Sequence, residues 1–195
     1  KTTMVKHIAD YLYELRDVKL MAPTGRAARV LAKKTGYEAY TIHKTIYNSA
    51  AFRAKEVKDI AESEFRLFFP VKNTDGNIVA IVDEASMLSS QTAEHELYRF
   101  GTDNLMDDLL TYVRFSFGGK VIFVGDPAQL PPVGESVSQA LNPDFFIEKG
   151  LKVMQAELRE VLRQTDSSVI LKNAMQIRGL LDSEKRNRLV FDEKD

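Results

Sequence analysis

Apolar residues recur at Val5, Ile8, Ala9, Leu12 and Leu15, a spacing of three and four that lines one face of a helix over residues 3–16. A short apolar run at residues 18–22, broken by Lys19, is closed by Pro23, which lacks an N–H and holds its predecessor extended. A strand is expected there. Residues 26–35 contain the helix formers Ala27, Ala28, Leu31 and Ala32, and Gly36 stands where a helix terminates. Residues 49–64 mix Lys55, Glu56, Lys58, Asp59, Glu62 and Glu64 with few apolar positions, so they read as a solvated helix or loop insertion. Two further runs, 65–71 and 78–82, flank Asn73-Thr74-Asp75-Gly76-Asn77, and the Asp-Gly pair favours the positive φ of a short hairpin. The second run, Ile78-Val79-Ala80-Ile81-Val82, has no alternation and reads as a strand buried on both faces.

Helical periodicity returns at residues 105–117, where Asp107-Asp108 read as a hydrated face. Residues 120–124 are another buried-strand candidate, residues 153–158 a further strand, and residues 168–181 a helix with Asp166 or Ser167 as its N-cap. Arg178 reads as surface or linker. Helices alternating with short buried strands predict an α/β fold: a mostly parallel sheet covered by helices on both faces and joined by right-handed crossovers.

Composition narrows the function classes. The 195 residues leave room for one sizeable core, and 44% hydrophobic with 28% charged residues is ordinary for a folded domain. There is no cysteine, which removes disulfides, thiolate nucleophiles and Cys-ligated zinc together. No apolar stretch approaches the ~18 residues of a membrane span, and the expected location is cytoplasmic. A net charge of −1 excludes a uniformly basic surface, so any nucleic-acid contact must be local. Between residues 25 and 44 the cations Arg26, Arg29, Lys33, Lys34 and Lys44 are opposed only by Glu38. For Arg29, Lys33 and Lys34 a solvated helix face and a nucleic-acid stripe fit equally well.

In open α/β sheets ligands gather at the carboxyl ends of strands. The run ending at Val82 delivers Asp83-Glu84-Ala85-Ser86 there, two carboxylates that point in different directions from an extended chain. One can hold a metal while the other addresses a water, the division of labour in nucleotide hydrolysis. Lys1-Thr2 opens the first helix as the Lys-Ser/Thr end of a phosphate loop does, although alone the tripeptide Lys1-Thr2-Thr3 is uninformative. The run 120–124 leads into Gly125-Asp126-Pro127-Ala128-Gln129-Leu130-Pro131-Pro132-Val133, a proline-stiffened loop whose Gln129 amide is suited to sense a terminal phosphate.

Six segments, in order, resemble the superfamily 1 helicases and specifically their RecD-like branch: Lys1-Thr2-Thr3, Ala22-Pro23-Thr24-Gly25-Arg26-Ala27-Ala28, Thr41-Ile42-His43-Lys44, Val82-Asp83-Glu84-Ala85-Ser86-Met87, the loop 125–133, and Leu158-Arg159-Glu160-Val161-Leu162-Arg163-Gln164. The resemblance implies a P-loop NTPase of the RecA-like type that uses ATP and Mg²⁺. By it, Lys1 would neutralise the β- and γ-phosphates, and Thr2 and Asp83 would hold Mg²⁺. Glu84 would activate water, Gln129 would contact the γ-phosphate, and Arg163, rather than Arg159, would stabilise transition-state charge. Pro23, Thr24, Gly25, Arg26, Thr41 and His43 would lie along single-stranded DNA, holding its backbone without reading sequence.

The same resemblance divides the chain into a first RecA-like ATPase domain at 1–165 and a helical segment at 166–195. It expects the glycine cradle and its strand upstream of Lys1, and a second motor domain of the same parent downstream. The expectation is therefore a piece of an ATP-dependent DNA helicase, close to inactive alone, with 5′ to 3′ movement implied by the branch. Two alternatives stay open: a single-stranded nucleic-acid-binding module without turnover, and an RNA helicase of the same superfamily. A small-molecule phosphotransferase would leave the 129–133 loop and Leu162-Arg163-Gln164 without a role.

Overall fold

Strand β5 (Ile78–Asp83) is buried along its whole length inside a four-stranded sheet. Its alternate residues serve two cores. Ile78, Ala80 and Val82 pack with Ile42, Ile46, Met106 and Leu109, whereas Val79 and Ile81 pack with Val5, Ala9 and Leu31. With helices on both faces a parallel strand has no wet side, which is why its sequence shows no alternation. The computed structural model describes residues 2–49, 53–56, 65–74, 77–93, 95–114, 117–158 and 169–181.

Beside β5 lie β1 (Asp17–Ala22) and β7 (Lys120–Val124), and β2 (Ala39–Thr41) lies beyond β1. The order is β2-β1-β5-β7 and every pairing is parallel. Helices α1 (Thr2–Tyr13) and α2 (Gly25–Thr35) cover one face through Val5, Ala9 and Leu31. Helices α3 (Ile42–Ile46) and α4 (Leu105–Val113) cover the other through Ile42, Ile46, Met106 and Leu109. This is the expected α/β architecture.

Helix ends follow local chemistry. The Thr24 hydroxyl oxygen accepts the Ala27 N–H at 3.2 Å to start α2, and Gly36, at φ 82°, ends it by donating its N–H to the Ala32 carbonyl. Helix α1 stops at Tyr13, short of the expected residue 16, and Arg16 instead donates to the Asn77 side chain at 2.8 Å and the Gly118 carbonyl at 3.0 Å. Helix α4 stops at Val113 because Arg114 turns left-handed at φ 52° and donates to the Thr74 carbonyl at 2.7 Å.

The expected hairpin does not form. Strand β4 (Phe65–Phe69) pairs antiparallel with β3 (Arg53–Glu56) and parallel with β6 (Tyr98–Phe100), in a second sheet of order β3-β4-β6. Both edges of β5 are already taken by β1 and β7, so none is open to β4. Within the insertion at 49–64, expected as a solvated helix or loop, residues 53–56 form strand β3; residues 50–52 and 57–64 lie outside the described residues. Strand β7 is half-buried rather than fully enclosed, since among the described strands it pairs with β5 alone.

Asp108 overturns the hydrated-face expectation: it is 1% exposed. Its carboxylate accepts the Tyr47 hydroxyl at 2.6 Å and the Thr102 hydroxyl and N–H at 3.0 and 3.1 Å, which replaces its water with donors. Asp107 stays at the surface beside Lys149 at 2.9 Å. Helix α5 (Pro143–Glu148), capped by the Asn142 side chain, was not foreseen. Residues 153–158 form no strand.

The chain divides into two compact units, Lys1–Met154 and Gln155–Asp195. The second contains α6 (Val169–Leu181), close to the expected helix; Asp166 and Ser167, its candidate caps, and the Arg178 side chain lie outside the described residues. Among the described residues no helix is long and apolar enough to cross a membrane.

Candidate functional site

The parallel register aligns Ala22 with Thr41, Met21 with Val82, and Asp83 with Val124. Pro23-Thr24, Ile42-His43, Glu84-Ala85 and Gly125-Asp126 therefore all leave the sheet along one edge. Topology thus gathers residues far apart in sequence where strand carboxyl ends meet helix starts.

Asp83 ends β5 and is 6% exposed, with one carboxylate oxygen accepting the Glu84 N–H at 3.0 Å. Glu84 adopts the left-handed conformation, φ 54° and ψ 38°, which costs a non-glycine residue about 1–2 kcal/mol. That turn separates the two carboxylates and starts the short 3-10 turn Ala85–Met87, where Met87 N–H donates to the Glu84 carbonyl at 3.1 Å.

The loop after β7 comes back against this turn. A Cβ on Gly125 would stand 2.8 Å from the Leu141 side chain and 3.0 Å from the Ser86 backbone nitrogen, so only glycine fits. The Asp126 carboxylate accepts the Ala128 N–H at 3.1 Å and its carbonyl accepts the Gln129 N–H at 3.1 Å, forming a local turn. Gln129 is thereby brought to Ser86, whose fully buried hydroxyl donates to the Gln129 side-chain oxygen at 3.4 Å. Ser86 lay inside a quoted motif, but nothing in the sequence assigned it this partner.

Thr2 is the first residue of α1 and is buried, on a helix anchored by Val5 and Ala9. Lys1, Arg159 and Arg163 lie outside the described residues.

On the neighbouring strand ends, Thr24, Gly25 and Arg26 are exposed and Pro23 is half-buried. Thr41 repeats the role of Thr24, its hydroxyl oxygen accepting the Lys44 N–H at 3.2 Å to cap α3. A threonine hydroxyl that accepts from the backbone still has its own proton to donate. A Cβ at Gly25 would meet nothing within 4 Å, so the protein itself does not demand glycine there. Arg29, Lys33, Lys34 and Lys44 are all exposed, and the Lys44 ammonium stands 3.9 Å from the Tyr40 ring centre.

His43 leans on an aromatic cluster, edge-on to Phe100 at 5.4 Å and tilted to Tyr47 at 5.6 Å. His43 stays exposed, and the partial desolvation by these rings, aided by His95, holds its pKa below the ordinary imidazole value against the opposing pull of Asp108. Burial and the bond to Asp108 push the Tyr47 hydroxyl up. The one sequence signal for this network was Asp108 itself, an acid on the apolar stripe of α4 at three after Leu105 and four before Tyr112.

Residues 1–185 match the AAA domain family. The chain belongs to that family. It is a RecA-like domain of the superfamily 1 helicases. The ATP-dependent RecD2 DNA helicase of Deinococcus radiodurans is 31% identical over 186 residues, 94% of this chain and 20% of that protein. The uncharacterized protein MJ1519 of Methanocaldococcus jannaschii is 29% identical over 97% of this chain and 15% of its own length. The ATP-dependent DNA helicase dda of Enterobacteria phage T4 is 29% identical over 84% of this chain and 32% of its own length. The helicase domain thus spans between 15% and 32% of the length of these relatives.

Members of this family use a nucleotide and usually Mg²⁺, and the chemistry of the two residues that the sequence assigns to that ion is compatible with it. Thr2 and Asp83 are a buried hydroxyl and a buried carboxylate, hard oxygen donors few in number. Mg²⁺ takes one or two such ligands and completes its shell with water and phosphate oxygens. Among the described residues no group of three or more His, Cys, Asp and Glu forms the cage that an all-protein metal site would need.

Proposed function

We propose that this helicase domain hydrolyses ATP with Mg²⁺ and, within a longer cytoplasmic protein carrying a second motor domain, couples hydrolysis to translocation on single-stranded DNA. Lys1 neutralises the β- and γ-phosphates, Thr2 and Asp83 hold the ion, and Glu84 orients and deprotonates the attacking water. Bound Mg²⁺ supplies charge neutralisation on the phosphate oxygens. Gln129 senses the terminal phosphate, and Arg163 stabilises charge that develops during transfer. Pro23, Thr24, Gly25, Arg26, Thr41 and His43 hold the DNA backbone, with movement 5′ to 3′.

The observation that carries this reading is the Ser86–Gln129 contact. It puts the loop after β7 against the turn that bears Glu84, on the sheet edge where the capped starts of α2 and α3 also emerge. Gln129 thus contacts the residue two positions after Glu84, which supports a link between the loop and the acid pair. The open space over Gly25 and the hydroxyls of Thr24 and Thr41, each with a proton still to donate, suit a sugar-phosphate backbone lying close to the protein.

The test is ATP hydrolysis by the intact protein with and without single-stranded DNA, together with filter binding at two salt concentrations and with or without ATP. A motor shows stimulated turnover and an affinity that depends on nucleotide. DNA binding indifferent to ATP, with no turnover, would select a binding module instead, and stimulation by RNA alone would select an RNA helicase. A tailed-duplex assay reads the polarity. The isolated 195-residue chain is proposed to be nearly inactive; measurable DNA-stimulated hydrolysis by it would refute that part.

A further inference from the structure

The loop that carries Gln129 is held at a second point. The Glu135 carboxylate accepts the Ser89 hydroxyl at 2.6 Å and the Ser90 N–H at 2.9 Å on one oxygen, and the Ser90 hydroxyl at 3.0 Å on the other. Beside it, the Gln91 amide donates to the Gly134 carbonyl at 3.1 Å. Glu135 in turn donates its N–H to the Pro132 carbonyl at 3.0 Å, closing a turn that uses Gly134 at φ 85°. Hydrogen bonds to an ionised acceptor are the short, strong kind, and this carboxylate makes three.

Both fixings land on the same piece of chain. Gly125 packs on the Ser86 backbone at one end of the loop, and Glu135 clasps Ser89 and Ser90 at the other. That piece begins directly after Asp83-Glu84. Between the two fixings Pro132 is buried, but Leu130 and Val133 are 87% and 101% exposed and anchor nothing. The far end of the loop therefore depends on polar contacts, with Glu135 as their centre.

We infer that Glu135 is a positioning residue, whose clasp on Ser89 and Ser90 holds the Gln129 loop in register with the Asp83-Glu84 turn so that events at Gln129 reach the hydrolytic acid. This rests on the nucleotide and DNA roles proposed above. Glu135 acts through the loop, by its bonds to Ser89 and Ser90. It makes the loop and the acid turn move as one body.

The experiment compares wild type, Glu135→Ala, Glu135→Gln and the double variant Ser89→Ala/Ser90→Ala in the intact protein. It reads kcat and KM for ATP with and without single-stranded DNA, and hydrogen exchange at the amides of residues 128–135. Misplacing a positioned group by about 1 Å costs on the order of 10²-fold in rate. Glu135→Ala is expected to lower DNA-stimulated kcat by about that factor, with KM for ATP within about twofold and faster exchange across the loop. Glu135→Gln keeps an acceptor oxygen and should recover part of the rate. The serine double variant should match Glu135→Ala. It removes two donors while adding no charge, so it gives the decision if Glu135→Ala fails to fold. Wild-type stimulation that persists unchanged in Glu135→Ala and in the serine variant would overturn this inference alone. Absence of any DNA stimulation in the wild type would instead overturn the functional proposal on which it stands.

Discussion

The Ser86 hydroxyl reaches the Gln129 side-chain oxygen across 3.4 Å, at the long end of a hydrogen bond, from a fully buried position to an exposed one. A contact this loose is readily given up, and the Gln129 side-chain NH₂, which it does not use, can donate to an acceptor such as a phosphate oxygen. Removing the Gln129 amide should therefore leave the fold alone and damage only the coupling. Gln129→Ala is expected to unfold within about 0.5 kcal/mol of wild type in urea. DNA-stimulated turnover should fall by about 10 to 10³-fold, read as kcat with and without single-stranded DNA.

Glu84 holds a left-handed backbone that a glutamine can hold as well, so Glu84→Gln changes the charge and little else. Hydrolysis should fall by about 10² to 10⁴-fold with ATP affinity kept, measured by single-turnover kinetics beside nucleotide titration. Undiminished turnover would remove Glu84 as the base.

Two glycines on the same sheet edge should respond in opposite ways. Gly125→Ala forces a methyl to within 3.0 Å of the Ser86 backbone nitrogen and should cost about 1–3 kcal/mol in stability. Gly25→Ala meets open space at the start of α2 and should hold stability or raise it by about 0.4–1 kcal/mol. The second substitution should nonetheless weaken single-stranded DNA binding, since the space it fills is where the backbone is proposed to lie. Equal DNA affinity in Gly25→Ala would argue against that placement.

Thr24 caps α2, so Thr24→Ala confounds a lost cap, about 1 kcal/mol, with a lost DNA contact. Thr24→Asp separates them, because aspartate caps a helix as well as threonine does and adds a negative charge. Thermal stability is expected to match wild type while DNA affinity falls, most at low salt where the repulsion is least screened. A protein that melts normally and binds DNA normally would show that Thr24 is a cap and nothing more.

His43 is held below the ordinary imidazole value of 6.5, so the folded state favours the neutral ring. Between the folded pKa and 6.5 the unfolded chain binds more protons than the folded one. The contribution of this histidine to stability is therefore complete above 6.5 and is lost as pH falls through the lowered folded value. Urea midpoints of wild type and His43→Gln, measured from about pH 8 down to pH 5, should diverge in favour of wild type at high pH and converge on acidification. A difference that stays flat would mean that the aromatic cluster does not disfavour the charged ring.

Much of the fold is legible where the decisive forces are local. The β1 terminus at Ala22 and the helix end at Gly36 follow from residues within a few positions of one another. The unbroken apolar run of β5 could be read as doubly covered because a strand with two dry faces has no use for polar alternation. The second sheet was not legible. Strand β6 has three residues and β3 falls in a charged segment, and neither carries a pattern that names β4 as its partner.

The side-chain network divides in the same way. Asp83, Glu84 and Gln129 stood out because each occupies a chemically telling place at the end of an apolar strand. Asp108 misled, since a carboxylate on a helix is ordinarily wet, and only the hydroxyls of Tyr47 and Thr102 make its burial tolerable.

By itself, then, the sequence determined the class of fold, the glycine end of α2 and the strand that presents the acid pair. The tertiary structure alone decided which residues meet: Ser86 with Gln129 across 43 positions, Ser89 with Glu135 across 46, and Tyr47 with Asp108 across 61. Propensity, capping and periodicity act over a turn or a strand. Contacts at such separations depend on the order in which β1, β5 and β7 pair, and that order is set by burial of the whole sheet between its helices.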